Sequence, residues 1–538
     1  MKISILLFLL FSHALSAQNF SRLDTLRGAY HEQRACFDLL HYHLQIRVDP
    51  QTRYISGNNR WTCRGISHSK SLQADLDPVF EIDSIQTSFG LAKYSRTGSS
   101  VKVQLPFFIE PELNFFIQIF YKGHPHAASN APWEGGFVWE KDKEGFPWIG
   151  LACEGEGASL WMPSKDHPFD EPDSVYMEYE VPRGLMAVGN GQLIKKESPT
   201  DSTWRFHYAV RSPVNHYNIS FNAGAFRSWE DTLSVPGLAD PLKMSFFCLN
   251  SDFEKARNQW LQSRLILRTL SQIFGPYPFS RDGYKVVQTP FLGMEHQSCI
   301  AYGDQFKNNA FGFDFILMHE TGHEWWGNRT SADDHADMWI HESFCTYSES
   351  LFLEKTQSQK QALNYLLGQK KKIKSKSPVL GKRDVYFNGW KDSDMYYKGA
   401  WMLHSFRYAL GNDSLWFGIL KDIGNRIGLK PISSDSFIHL LSQLTGRNAG
   451  PFFLSYLSQT DIPRLEYKKI LLPDGKTNCM VKWARVLPGF KSDVPVRCNG
   501  KDYRISAGTD WEPLPFDIGT GNLEPVEDLF LYQIKLVL

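Results

Sequence analysis

Several kinds of structural support are scarce in this 538-residue chain. It has eight cysteines and no Cys-x-x-Cys pair, which excludes a scaffold built from disulfides. There is no internal repeat and no low-complexity tract, so solenoid and tail-like architectures are excluded. Neither sign of charge prevails: 58 Lys and Arg balance 58 Asp and Glu. Bulk charge therefore points to neither nucleic acid nor an acidic membrane surface as a partner. One apolar run stands out, Ile3 to Phe11, and no later stretch approaches the ~20 residues that span a bilayer.

What is present is the balance of a globular protein: 42% apolar and 22% charged residues, at a length suited to about two to four domains. The opening MKISILLFLLFSHALSAQNF has one lysine, the short apolar run and small residues at Ala14, Ser16 and Ala17. It reads as a secretory signal peptide over residues 1–17 and predicts a secreted or periplasmic protein without stable membrane insertion after cleavage. No cysteine follows the cleavage region, which argues against a bacterial-type lipid anchor. Cys479 and Cys498, in one short β region, are a candidate pair for an oxidising compartment. Cys153, Cys299 and Cys345 read as small buried residues.

From Cys36 to Trp229 the pattern is β. Tyr42, Leu44, Ile46 and Val48 alternate with His41, His43, Gln45 and Arg47, the period of a half-buried strand. The two histidines are expected on a solvated face. Further strands are predicted at Val101–Leu105, Asn114–Tyr121, Val175–Val181 and Trp204–Val210. From Asp252 the period becomes helical. Asp252–Phe274 reads as one amphipathic helix closed by Gly275 and Pro276, followed by a strand at Tyr284–Gln288. Later helices are predicted at Lys360–Ser375, Tyr397–Leu410, Ser414–Ile423 and Ser434–Leu444. Beyond Pro463 the chain turns β again, to a last strand at Leu529–Leu538. The reading is a multidomain α+β protein: an N-terminal all-β domain (18–240), a mainly helical catalytic domain (241–462) and a small C-terminal β domain (463–538).

The chemistry concentrates in His319-Glu320-Thr321-Gly322-His323, with Glu342 after eighteen intervening residues. On a helix, His319 and His323 share a face one turn apart, and both imidazoles reach one metal ion. Glu320 stands beside the metal rather than on it. Two histidines and Glu342 make three ligands, leaving open the position that a catalytic zinc keeps for water. The stretch Phe311–Asn328 is apolar on nearly every face and predicts a buried helix, and buried charges need partners of the kind a metal supplies. One Zn2+ per chain is expected. The sequon at Asn328 follows so closely that a glycan hardly fits. Peptide hydrolysis also needs a general base, for which Glu320 fits, and a donor to the oxyanion, for which Tyr396 and Tyr397 are equal candidates. Two acidic segments, LGMEHQ with Glu295 and LACEGEGASLW with Glu154 and Glu156, offer carboxylates that grip a cationic substrate end. Gly293 allows close backbone approach.

HETGHEWWGN followed by WIHESFCTY resembles the gluzincin aminopeptidases, the family of aminopeptidase N and the related leukotriene epoxide hydrolase. Gly293-Met294-Glu295 is similar to that family's glycine-x-methionine-glutamate loop. Tyr396-Tyr397-Lys398-Gly399 is similar to its tyrosine-x-lysine-glycine element, which selects Tyr396 as the oxyanion partner. CEGEG, ahead of Trp161–Pro163 and Asp170–Asp173, resembles its cysteine-acid/amide strand and selects Glu154 over Glu156. PYPFSRDGY and FFLSYLSQTDIP extend the likeness from Tyr42 to Pro463. The resemblance implies a saddle-like β domain, a thermolysin-like catalytic domain, and a zinc aminopeptidase acting on peptides with a free N-terminus. In it Glu154 and Glu295 hold the α-amine, while Gly293 and Met294 line the substrate, Met294 near the first side-chain pocket. An epoxide hydrolase or bifunctional relative, a thermolysin-type endopeptidase and a non-catalytic peptide binder are the competing readings.

There are departures from the family pattern. His296 and His341 stand where the family has asparagine, Lys165–Phe169 reads as an insertion, and Gly322 interrupts the zinc helix at a cost of ~1 kcal/mol relative to alanine, as if another backbone passed close by. Only residues 464–538 follow Pro463, too few for the large helical C-terminal domain of many relatives.

Overall fold

The computed structural model describes residues 20–471 and 477–537. The expected signal peptide, residues 1–17, lies outside the described residues. Among the described residues no helix is long and apolar enough to cross a membrane.

Strand Phe37–Asp49 buries Tyr42, Leu44, Ile46 and Val48 on one face, as its alternation requires. On the other face His41 Nδ1 meets Ser174 Oγ and His43 Nε2 meets Glu178 Oε1, each at 2.8 Å, so this is a polar surface. The strand pairs antiparallel with Tyr54–Gly65 and parallel with Ser174–Pro182 inside an eight-stranded sheet. The other predicted N-terminal strands form within Ser100–Ile109, Asn114–Gly123, Ser174–Pro182 and Thr203–Val210. A four-stranded sheet of Met186–Val188, Asn222–Gly224, Pro147–Ala152 and Gly136–Lys141 completes the passage to the site. The core of this β region continues into Phe291, Met294 and Ala301, so the β domain packs directly on the segment that carries Glu295.

The next sheet has five strands in the order Phe226–Leu233, Leu242–Leu249, Tyr284–Gln288, Ile300–Tyr302, Gly293–Met294. The expected division at residue 240 falls inside the hairpin of its first two strands, because Phe226–Leu233 pairs with Leu242–Leu249 over its whole length. The single helix expected over Asp252–Phe274 is in fact two, Phe253–Gln259 and Gln262–Phe274. The break carries Trp260 into an aromatic stack with Trp229, Phe246 and Tyr302, at ring separations of 5.7, 6.0 and 5.4 Å. Ser263 donates to the Trp260 carbonyl at the break with both its Oγ and its backbone N–H.

The helix expected from the apolar stretch Phe311–Asn328 is shorter, Phe315–Gly322. Asp314 caps it by accepting from Leu317 N. After His323 the chain turns, through Gly327 at φ 121° and a bridge between Trp326 and Thr330. The second helix of the motif runs Trp339–Thr356 and packs against Asp394–Leu410. The later helices occupy Gln359–Lys370, Asp394–Leu410, Asp413–Ile427 and Ser434–Thr445, followed by an unpredicted Gly450–Leu457.

The C-terminal strands form a four-stranded and a three-stranded sheet whose apolar residues share one core with the catalytic helices. The last strand is Gln533–Leu536 rather than the expected Leu529–Leu538. Phe530, Leu531 and Tyr532 instead plug into the core, which takes them off the sheet ladder; Leu538 lies outside the described residues. Cys479 and Cys498 belong to different sheets and are not bonded; all eight cysteines are free and buried.

Candidate active site

One helical turn brings His319 and His323 face to face, their Nε2 atoms 3.2 Å apart. Glu342, in the first turn of the next helix, places Oε2 3.4 Å from His319 Nε2 and 3.7 Å from His323 Nε2. The remote ring nitrogens are both taken: His319 Nδ1 donates to Glu349 Oε1 at 2.7 Å and His323 Nδ1 to the Trp326 carbonyl at 2.9 Å. The protons therefore sit on Nδ1, and both Nε2 atoms present lone pairs to the same point. Glu342 Oε2 is buried there without a hydrogen-bond partner. Two lone pairs and an orphaned carboxylate oxygen, all within 4.8 Å of one another, are held together against their mutual repulsion unless a cation sits among them. A His-His-Glu donor set suits zinc; the residues fit the metal.

More carboxylates crowd the same cleft. Glu320 follows His319, and a side chain opposite it at Gly293 would force its neighbours to move: a Cβ there would lie 2.7 Å from Glu320 Oε1 and 2.7 Å from Ile316 Cγ2. Gly293–Met294 is the outer strand of its sheet, paired on one side only, with Tyr302 and Ala301. Glu295 follows it directly. Glu154 lies just past the end of strand Pro147–Ala152, and carboxylate oxygens of Glu154, Glu295 and Glu342 come within 4.8 Å of one another. Burial and then repulsion from neighbouring carboxylates push Glu154 and Glu320 well above the usual range, and burial with the Glu342 charge takes Glu295 up to about 7. Such a cluster calls for cationic occupants.

Tyr396 stands over the metal helix, its ring 6.3 Å from that of His319, and burial among these carboxylates holds its hydroxyl well above its ordinary value. It remains an O–H donor on a residue that lines the cleft. Tyr397 also lines the cleft, but its hydroxyl is engaged by Lys372 Nζ at 3.2 Å. Glu156 is not part of this cleft. It lines a separate small cavity with Asp166, His167 and His335. The cleft itself encloses about 240 Å3 between Trp133, Met294, Phe315 and Tyr396. Asn328 is 2% exposed and bonds the Glu295 carbonyl at 3.0 Å, which leaves no room for a glycan.

Sequence reasoning missed two residues. Glu349 orients His319 and is itself fixed by Tyr365 OH at 2.5 Å and Gln369 Nε2 at 2.9 Å. Its signal was available: it follows Glu342 by seven residues, two turns along one helix face. Tyr217 donates to Glu295 Oε1 at 2.9 Å, and no local pattern announces it.

A buried His-His-Glu cage, a spare glutamate and an open cleft on a helical domain define the class of zinc metallohydrolases. Residues 292–456 match the peptidase family M1 domain. Leukotriene A-4 hydrolase of Xenopus laevis is 19% identical over 532 residues, covering 93% of this chain and 80% of the frog protein. Human aminopeptidase B is 23% identical over 387 residues, covering 67% of this chain and 50% of its own length. Among solved structures, a two-domain M1 zinc metallopeptidase mutant bound to L-arginine superposes with a TM-score of 0.68 at 20% identity, covering 79% of this chain and 95% of that one. A Deinococcus radiodurans M1 zinc metallopeptidase mutant bound to a Tyr-Ser-Ala substrate gives 0.66 at 20%, with 80% and 95% covered. Over residues 292–456 the chain thus resembles peptidase family M1, and its fold is that of the two-domain M1 zinc metallopeptidases.

Proposed function

We propose that the protein removes N-terminal residues from peptides. The observation that carries this reading is the meeting of Glu154 and Glu295 beside Glu342: two carboxylates line the cleft next to the metal cage. An α-amine has a reference pKa of ~7.7–8.0 and is largely cationic near neutrality. The pair rewards that charge, and an acetylated or internal peptide cannot repay the desolvation of both groups. An endopeptidase would have no use for them. The relatives fit this reading, since one is an aminopeptidase and one solved neighbour holds a peptide.

Zinc, held by His319, His323 and Glu342, supplies a Lewis acid that makes water a nucleophile near neutral pH. The chain's own residues do the rest. Glu154 and Glu295 fix the amine, and the free edge of Gly293–Met294 aligns the substrate backbone as an added strand. Glu320 accepts the proton of the attacking water and returns it to the departing amide nitrogen. Tyr396 O–H donates to the carbonyl oxygen as negative charge builds on it. Met294, packed into the β-domain core, lines the wall nearest the first substrate side chain. Residues 1–17 fit export of the enzyme; N-terminal sequencing of the mature protein starting at residue 18 supports that, and an intact Met1 refutes it.

The test of the activity is hydrolysis of fluorogenic aminoacyl amides, free and N-acetylated, with and without a chelator. Cleavage of the free-amine substrates alone, lost on chelation and restored by zinc, is expected. Equal cleavage of both forms, or activity that survives complete removal of the metal, would overturn the reading.

A further inference from the structure

Tyr217 sits in a 3₁₀ turn of the β domain, His216–Asn218, far in sequence from every motif residue. It is 4% exposed, and its bonds reach all three segments that build the substrate end of the cleft. Its hydroxyl donates to Glu295 Oε1 at 2.9 Å. Its carbonyl accepts from the thiol of Cys153, the neighbour of Glu154, at 3.3 Å. Its oxygen also faces Nδ1 of His341, the neighbour of Glu342, at 3.5 Å.

The direction of these bonds is settled by a backbone group. His341 Nε2 accepts from Ala332 N–H at 2.8 Å, so in the neutral ring the proton is on Nδ1 and points at the Tyr217 oxygen. The Tyr217 hydrogen is then free for Glu295. The Glu295 carbonyl is held separately by Asn328 Nδ2, whose own amide oxygen accepts from Asn218 Nδ2 at 2.7 Å. Residues 217 and 218 thus hold the Glu295 segment, Tyr217 directly at the side chain and Asn218 through Asn328 at the backbone.

We propose that Tyr217 is the positioning residue for recognition of the substrate amine: it holds one oxygen of Glu295 so that the other faces the incoming ammonium, and it ties the Glu154 strand to the same anchor. Tyr217 touches neither substrate nor metal and acts through Glu295. This rests on the aminopeptidase reading above. A carboxylate with one oxygen pinned by a neutral donor loses less rotamer freedom on binding than a free one. His341, where the family has asparagine, is part of the same arrangement, its ring reaching the Tyr217 oxygen while accepting from Ala332.

The experiment is Tyr217→Phe in the full-length zinc enzyme, assayed on one aminoacyl arylamide in free and N-acetylated form, with zinc content and melting temperature measured alongside. Loss of a hydrogen bond to a charged group predicts a rise in KM for the free-amine substrate of roughly 10-fold or more. At the same time kcat is expected within about threefold of wild type, zinc is retained, and discrimination against the acetylated substrate falls by the factor KM gained. In a Glu295→Ala background the same substitution should add nothing to KM. An unchanged KM and discrimination ratio, or a parallel loss of kcat, zinc and melting temperature, overturns the proposal. If the wild-type enzyme does not discriminate between the two substrates, it is the aminopeptidase reading that falls.

Discussion

Gly293→Ala isolates the demand that the cleft makes on its edge strand. Gly293 does not take a positive φ, so alanine costs nothing in backbone conformation and only the collision is tested. The new methyl would lie 2.7 Å from both Glu320 Oε1 and Ile316 Cγ2, about 1 Å inside the ~3.5–4.0 Å optimum for carbon atoms. Ile316 is buried on the metal helix and, being β-branched, has one strongly preferred rotamer there. The group able to yield is the Glu320 carboxylate, by roughly 0.5–1 Å, and a misplacement of ~1 Å costs about 10²-fold. Alanine should therefore lower kcat by roughly 10- to 100-fold while leaving zinc content intact, as measured by steady-state hydrolysis of an aminoacyl arylamide and by metal analysis. A kcat within about twofold of wild type would refute the argument that Gly293 makes room for the base.

Gly322→Ala should behave in the opposite way. An added Cβ would sit 3.5 Å from Cys345 Sγ and 3.9 Å from its Cα, ordinary contact distances, so activity should be kept and stability should rise by up to ~1 kcal/mol, read as a higher melting temperature. Glu320→Gln should retain zinc and lose ~10²–10⁴ in kcat, the worth of a general base; substantial residual turnover in a metal-loaded variant would remove Glu320 from that role. Tyr396→Phe should lower kcat by ~10²–10³ with KM little changed, as loss of an oxyanion donor does, and a loss confined to KM would contradict it. Glu349→Gln removes the negative charge behind His319 and should weaken zinc binding by ~10-fold or more, measured by chelator competition; an unchanged zinc affinity would mean that Tyr365 and Gln369 alone orient the ring.

How much of this was legible in the sequence depended on the range of the interactions. The metal cage is local: His319 and His323 are one turn apart, and Glu342 opens the helix that packs against theirs. Its spacing is therefore written in consecutive residues. The strand Phe37–Asp49 and the strand Tyr284–Gln288 were equally readable because alternation and an apolar run carry them. The break at Trp260 was not, because Phe253–Gln259 and Gln262–Phe274 are each helical and what separates them is an aromatic stack with residues on other strands. The hairpin across residue 240 was hidden for the same reason: pairing of Phe226–Leu233 with its neighbour gives the sheet its membership, and a β pattern alone does not say which sheet a strand joins. The final strand lost Phe530, Leu531 and Tyr532 to the core because three large apolar side chains bury more surface inside than a ladder returns.

The same distinction divides the active site by origin. The groups proposed for bond cleavage, Glu320 and Tyr396, stand with the metal ligands on helices of one domain. The groups proposed for choosing the substrate do not. Glu154 comes from just past the end of a β-domain strand, Glu295 from just past the outer strand of the catalytic sheet, and Tyr217, which bonds Glu295 across 78 residues of chain, from a turn of the β domain. Residue spacing can therefore announce a zinc hydrolase but cannot say where it cuts, since that depends on two domains being docked to within a hydrogen bond. It also follows that substitutions in the β-domain core beneath Met294 and Cys153, which touch no reacting atom, should disturb recognition of the amine before they disturb the chemistry of cleavage, because the carboxylate pair is drawn from both sides of the joint while Glu320, Tyr396 and the metal ligands come from one side.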